Sequence, residues 1–485
     1  MLAAILRHDG LALSDGVSDV TYAQLTGVVA EIGSQLRASG AKTIGIALDN
    51  SPLWGALDLA ILDAGLVCVP LPGFFSPDQL THVIADAGID MILTDRPDFF
   101  SKLRIPAGAA VERAHCGKQY AEIPVITAGR ANVPAGTVKI TYTSGTTGNP
   151  KGVCLDLQSM EHVAKSLLQA SGAAADDRYL SLLPLSTLLE NIGALYVPLL
   201  AGAACRLLPL SDVGLSGAAK LDVEKMAGVL SRYRATCAIL TPQLLQALTG
   251  FMEKRLFDFP DLRFVAVGGA PVSGRLLERS ASLGLPVFEG YGLSECASVV
   301  SLNTEAASKP GSAGKPLPHV SLKFAPDGEI FVRGAVMLGY CGMDSHDRNA
   351  YWPTGDTGYL DHEGFLHLTG RKKNIFITAF GRNVAPEWVE KELAVHPAIL
   401  QAAVFGEGRP WNAAVVVPRD PGRVEEAVRQ ANDVLPDYAR IREWCFADGP
   451  FLFENGQLTA NGRLKREAIW PLYREKIEAL YERES

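Results

Sequence analysis

Tyr142-Thr143-Ser144-Gly145-Thr146-Thr147-Gly148-Asn149-Pro150-Lys151-Gly152 is the stretch on which the reading of this chain turns. A strand-like segment over 137–141 leads into it, so the loop opens at the end of a strand. Glycines let backbone approach a polyphosphate, hydroxyls and N–H groups donate hydrogen bonds, and Lys151 supplies a cation. The plainer alternative is a surface loop of small residues. A Walker A loop needs G-x-x-x-x-G-K-[ST], and position 150 is proline, which disfavours a P-loop kinase or ATPase.

Outward from the loop, helix and strand alternate. Residues 21–39 have helical spacing, with Leu25, Val28, Val29, Ile32 and Leu36 on one side. Strands over 43–48, 65–70 and 90–94 alternate with helices over 53–64 and 77–88, which predicts βαβ units. From Leu322 short β segments are punctuated by turns such as Pro326-Asp327-Gly328 and His362-Glu363-Gly364. A smaller unit begins after Arg371, with strands over 375–378, 402–405 and 413–417 and helices over 386–396 and 424–432. The expected fold is α/β: a large N-terminal body of mostly parallel sheets covered by helices plus a small β subdomain, and a small C-terminal α+β domain.

Composition narrows the function. With 45 Lys+Arg against 53 Asp+Glu the formal net charge is −8, which argues against a general nucleic-acid binder. No run reaches the ~18 apolar residues of a membrane span, and residues 1–10 lack the pattern of a signal peptide. None of the eight cysteines forms a C-x-x-C pair, and the nine histidines are dispersed, so neither a zinc site nor a disulfide framework is expected. The expectation is a soluble, cytoplasmic protein.

Five further segments follow the loop in order: Val267-Gly268-Gly269-Ala270-Pro271, Glu289-Gly290-Tyr291-Gly292-Leu293-Ser294-Glu295, Trp352-Pro353-Thr354-Gly355-Asp356, Gly370-Arg371-Lys372-Lys373-Asn374 and Gly381-Arg382-Asn383-Val384-Ala385-Pro386-Glu387. With the loop, this set resembles the adenylate-forming superfamily of acyl-CoA synthetases, peptide-synthetase adenylation domains and luciferases, over nearly the whole chain. The resemblance implies ATP, Mg²⁺ and coenzyme A, or a carrier's phosphopantetheine. A carboxylate attacks the α-phosphate to give acyl-AMP and pyrophosphate, and a thiol then displaces AMP. It also implies a body over 1–370, a hinge at 371–373 and a mobile domain over 374–485.

On that resemblance, Thr143, Ser144, Gly145 and Gly148 would shape the phosphate loop, with Thr146, Thr147 and Lys151 on the β and γ phosphates. Glu295 would hold Mg²⁺ together with Thr147, a hard-oxygen set. Gly269, Ala270 and Tyr291 would flank the adenine, within a nucleotide site completed by Pro271, Glu289, Gly290, Gly292 and Ser294. Asp356, as an acceptor, and Arg371, as a donor, would take the ribose hydroxyls. Lys373 would be the hinge, Gly381 would line the thiol tunnel, and Gly268 and Thr187 would border the acyl pocket.

Two departures stand out. The late lysine of T-x-x-G-K-[hydrophobic]-x-R falls on Arg463, within Thr459-Ala460-Asn461-Gly462-Arg463-Leu464-Lys465-Arg466. Arg463 does the lysine's work, Lys465 reaches in through a register shift, or adenylation is weak; Arg and Lys are not interchangeable. In Leu183-Pro184-Leu185-Ser186-Thr187-Leu188-Leu189-Glu190, Thr187 replaces the His of the long-chain L-P-L-x-H-x-x-E segment, and either opens the acyl tunnel or merely fills space. Asp212 and Asp261 are the acids available for an amino-acid substrate's ammonium, but neither sits in a matching motif. The expected function is activation of a medium- or long-chain fatty acid and transfer to coenzyme A. The alternatives are transfer to an acyl carrier protein, and a non-catalytic nucleotide or acyl-adenylate binder.

Overall fold

The computed structural model describes residues 1–485 apart from 104, 127–131, 144–149, 217–219, 256–257, 271, 453, 460–461 and 483–485. Two sheets, of nine and eight strands, build the body. The centre of the first runs parallel through Leu11–Ser14, Ala204–Arg206, Arg178–Leu180, Cys237–Leu240, Phe264–Val267 and Val287–Tyr291. In the second, Met91–Thr94, Thr43–Ala47, Val67–Pro70 and Lys139–Thr143 are parallel. Helices cover these centres, so strands such as Thr43–Ala47 and Cys237–Leu240 are buried along their whole length.

The parallel character stops at the margins. Val111–His115 pairs antiparallel with Lys118–Pro124, and Lys139–Thr143 with Lys151–Leu155, because short connections there permit only hairpins. The covering helices begin where the chain offers caps. Thr21 and Gln24 form a capping box for Tyr22–Ser39, and Ser51 caps Pro52–Asp63, one residue earlier than the hydrophobic spacing alone predicts.

Val320–Phe324, Glu329–Gly334, Trp352–Leu360 and Leu366–Arg371 form an antiparallel four-stranded sheet beside the body. The last part of the chain packs around Ile399–Phe405, Asn412–Pro418 and Ile441–Phe446. Strand alternation divides its core: Val404, Ala414 and Val416 meet the helices Pro386–Ala394 and Val424–Asn432, while Ala403, Val415 and Val417 meet Arg466–Glu482. Between this unit and the body runs a cleft of about 2560 Å³. No helix among the described residues is long and apolar enough to cross a membrane.

Candidate active site

Thr143 and Lys151 stand opposite each other where the hairpin Lys139–Thr143/Lys151–Leu155 meets the cleft, at the two ends of the phosphate loop. Ser144, Gly145, Thr146, Thr147 and Gly148 lie outside the described residues, as does Pro271. Gly339–Tyr340 continues the sheet antiparallel to Lys151–Leu155 and carries Tyr340 to the same wall. The Tyr340 ring centre lies 5.6 Å from Lys151 Nζ, and its hydroxyl donates to Glu295 Oε1 at 2.8 Å. Burial, and then the Glu295 charge, push the Tyr340 phenol above its ordinary range.

Glu295 sits in the single 3₁₀ turn Ser294–Cys296, whose entry and exit are both constrained. A Cβ at Gly292 would lie 1.7 Å from the Ser298 carbonyl oxygen, so only glycine fits. Ala297 and Ser298 follow with φ of 51° and 102°, strain tolerated where surrounding structure dictates the path. The turn presents Glu295 to the cleft that Lys151 also lines, and a carboxylate is the hard-oxygen donor that Mg²⁺, which takes few protein ligands, would accept. Ser298 Oγ, on the same wall, is buried without a partner among the described residues.

Asp356 and Arg371 are direct cross-strand partners in the four-stranded sheet, and Arg371 Nε lies 2.9 Å from Asp356 Oδ1. The Tyr291 hydroxyl donates to the other oxygen, Oδ2, at 2.8 Å. Glu289, two residues before Tyr291, is pushed up to about 7 by burial, against the opposing pull of the Lys391 charge and the Val272 N–H. Its Oε2 is buried without a partner among the described residues. Gly268, Gly269, Ala270, Gly290, Gly292 and Ser294 all face the cleft, with Gly269 at φ 87°.

From the C-terminal unit, Arg463 crosses the cleft and donates through Nε to the Gly269 carbonyl at 2.8 Å. Burial and the nearby Arg371 charge lower its pKa from the ordinary value, partly offset by Asp356, Tyr291 and Glu295. Lys465 also lines the cleft. Arg466 anchors the segment: NH1 donates to Glu387 Oε1 at 3.0 Å, Nε to Glu390 Oε1 at 3.2 Å, and NH2 pairs with Glu390 Oε2. Lys373 reaches the cleft, where burial lowers its pKa.

Gly381 is not among these residues. It occupies an exposed turn at φ 71° and does not line the cleft. Thr187 lines the cleft, but its hydroxyl turns back to the Pro184 carbonyl at 2.8 Å. Asp261 pairs with Arg178 and Arg234, and Asp212 with Lys225, and neither acid lines the cleft. Tyr340 and Ser298 belong to no segment singled out by motif; Tyr340 is recognisable only once its strand is paired with Lys151–Leu155.

The family model described as AMP-binding enzyme matches residues 4–341, and that of the AMP-binding enzyme C-terminal domain matches 373–485. The chain belongs to the AMP-binding enzyme family. Within it, a long-chain fatty acid–CoA ligase of Mycobacterium bovis is 26% identical over 97% of this chain and 94% of its own. A feruloyl-CoA synthase of an Amycolatopsis species is 30% identical over 87% of each chain. The O-succinylbenzoate coenzyme A synthetase of Bacillus subtilis, solved with AMP, superposes with a TM-score of 0.77 at 26% identity over 96% of both chains. This AMP-binding enzyme is thus an AMP-forming acid–thiol ligase with the adenylate-forming α/β fold.

Proposed function

We propose that this enzyme activates a medium- or long-chain fatty acid with MgATP and passes the acyl group to coenzyme A. The observation that carries the reading is the length and apolarity of the wall beyond Gly268. Phe264 and Ala266 share one face of their strand and, with Gly268 just past its end, line the cleft, a reach of roughly 13 Å at ~3.3 Å per residue. Leu183, Leu188 and Val197 face it from the other side. A long aliphatic tail fills such a wall, whereas a second carboxylate or an ammonium would need a counter-charge there.

Nucleotide and chemistry fall to the polar end. Lys151 would take the outer phosphates and Glu295 the Mg²⁺, while Tyr291, Asp356 and Arg371 would hold the nucleoside. Arg463 is the favoured cation for the attacking carboxylate and α-phosphate, because it is the side chain seen reaching Gly269. Residues 371–373 would be the pivot between the body, 1–370, and a mobile 374–485, which would bring Gly381 to the cleft for thiol transfer. The eight free cysteines support a reducing, cytoplasmic setting.

The test is pyrophosphate release with MgATP and straight-chain acids from acetate to stearate, beside aromatic acids, with and without coenzyme A. Turnover with one class of aliphatic chain lengths, dependent on coenzyme A, is expected. Preference for aromatic acids would overturn the acyl assignment. A single burst indifferent to coenzyme A would move the acceptor to a carrier protein.

A further inference from the structure

Beneath the cleft lies a polar cluster sealed from solvent. Asp58, on the helix Pro52–Asp63, and Lys139, which opens the strand ending at the phosphate loop, are both 0% exposed and pair at 2.6 Å. The Lys139 ammonium donates to Asp58 Oδ1, to Asn191 Oδ1 at 2.5 Å and to the Tyr196 hydroxyl at 2.7 Å, using its three protons. Asp58 Oδ1 also accepts from Cys68 Sγ at 3.2 Å, and Oδ2 accepts from Tyr196 at 2.5 Å and Asn191 Nδ2 at 3.2 Å. Desolvation largely cancels the attraction of so deep a pair, so its yield in net stability is small. What a fully matched network supplies is one definite geometry.

That geometry is uncommon. Asn191 and Tyr196 are the first and last residues of a π-helical turn, Asn191–Tyr196, set between the α-helical turns Leu188–Glu190 and Val197–Ala201. Residues five apart stand about 140° apart around an α-helix of 3.6 residues per turn. They share a face where hydrogen bonds close i→i+5. The π wind is therefore what lets both side chains grip the same ammonium and carboxylate. Between them Gly193 lines the cleft against Ile239, so closely that a Cβ would lie 2.5 Å from Ile239 Cδ1. Leu188, Leu189 and Val197 continue the same wall.

We propose that Lys139, Asp58, Asn191 and Tyr196 form a positioning clamp that holds this π-turn and thereby selects which acids fit. The inference rests on reading the wall as the acyl pocket. None of the four residues lines the cleft, so they act through Gly193 and its neighbours rather than on substrate. Lys139 stands four residues before Thr143 on one strand, which ties the acyl wall to the nucleotide side.

The test compares the wild type with the Lys139→Met/Asp58→Leu double variant, since apolar replacement of a buried pair is commonly tolerated. Tyr196→Phe is the milder second variant. Amide hydrogen exchange over 188–201 reads the clamp without turnover, while KM values for a series of acids and for ATP read its consequence. Exchange through 191–197 should rise about tenfold, and KM for the preferred acid should rise about tenfold in the double variant with the order of preference altered, while KM for ATP stays within about twofold. Unchanged exchange in both variants would overturn the clamp. Faster exchange with an unaltered acid preference, or equal rises in both KM values, would overturn its part in selection. If the wild type activates no acid, the acyl reading and the selection role fall together, and exchange alone decides whether the clamp exists.

Discussion

Arg463 commits one of the five N–H donors of its guanidinium to Gly269, and the charges of Asp356 and Glu295 act on the group. A cation placed there would stabilise the charge that develops as a carboxylate meets the α-phosphate. Arg463→Ala should lower acid-dependent pyrophosphate release about 10²–10³-fold, on the scale of removing one charge-stabilising donor. Arg463→Lys should recover part of the loss, and Lys465→Ala should cost less than about tenfold. Single-turnover measurement of the three variants decides between them, and a silent Lys465→Ala beside an active Arg463→Ala would reverse the assignment. Tyr340 offers a subtler case, because its hydroxyl holds Glu295 while its ring lies near Lys151. Tyr340→Phe keeps the ring and removes one hydrogen bond to a charged group, worth about 1.5–3 kcal/mol. The Mg²⁺ concentration giving half-maximal pyrophosphate release should therefore rise about tenfold with KM for the acid unmoved. Asp356, Arg371 and Tyr291 were legible because each lies in a compact motif. Tyr340 was not, because its place depends on sheet register, 45 residues beyond the carboxylate it holds.

Glu190 shows what an element asks of one buried carboxyl. Its Oε1 accepts from Ser181 Oγ at 2.7 Å and from the Leu182 and Leu183 amides at 3.0 and 3.3 Å, which folds the 183–187 loop against the helix start. Its Oε2 has no partner among the described residues. Burial outweighs those bonds and raises its pKa from 4.5 to about 8. Between those values the folded chain holds a proton that the unfolded chain has released, so stability falls as pH rises through this window, by up to about 1.4 kcal/mol per pH unit. Glu190→Gln removes the titration. The wild-type Tm should fall more steeply than the variant's from about pH 6 to about pH 8, and parallel Tm curves would show that Glu190 does not titrate there. Helical spacing made Tyr22–Ser39 and Val424–Asn432 readable. The π-turn escaped because one extra residue per turn leaves no mark in an apolar run, and Arg466–Glu482 escaped because Pro471 interrupts its pattern.

At the scale of the whole molecule, polar contacts among the described residues join the C-terminal unit to the body. Gln246 Nε2 donates to the Ala394 carbonyl at 2.6 Å and Arg279 NH1 to the Val395 carbonyl at 3.3 Å, both at the C-terminal end of Pro386–Ala394. There a cation complements the helix dipole and orphan carbonyls find donors. Arg275 reaches the Gln430 carbonyl at 3.2 Å, and Arg463 the Gly269 carbonyl. Each is worth about 1 kcal/mol net. Gln246→Ala with Arg279→Ala removes both helix-end contacts without touching Arg463, Glu295 or Asp356. Losing about 2 kcal/mol of docking should slow the adenylation half-reaction about tenfold or more, while thioester formation from supplied acyl-AMP stays constant or quickens. The two half-reactions are measured separately on one preparation, with Tm as the check on folding. Equal loss in both halves would mean that the contacts merely support the fold. No loss in either would mean that the contacts left in place, Arg275 on Gln430 and Arg463 on Gly269, hold this arrangement without them.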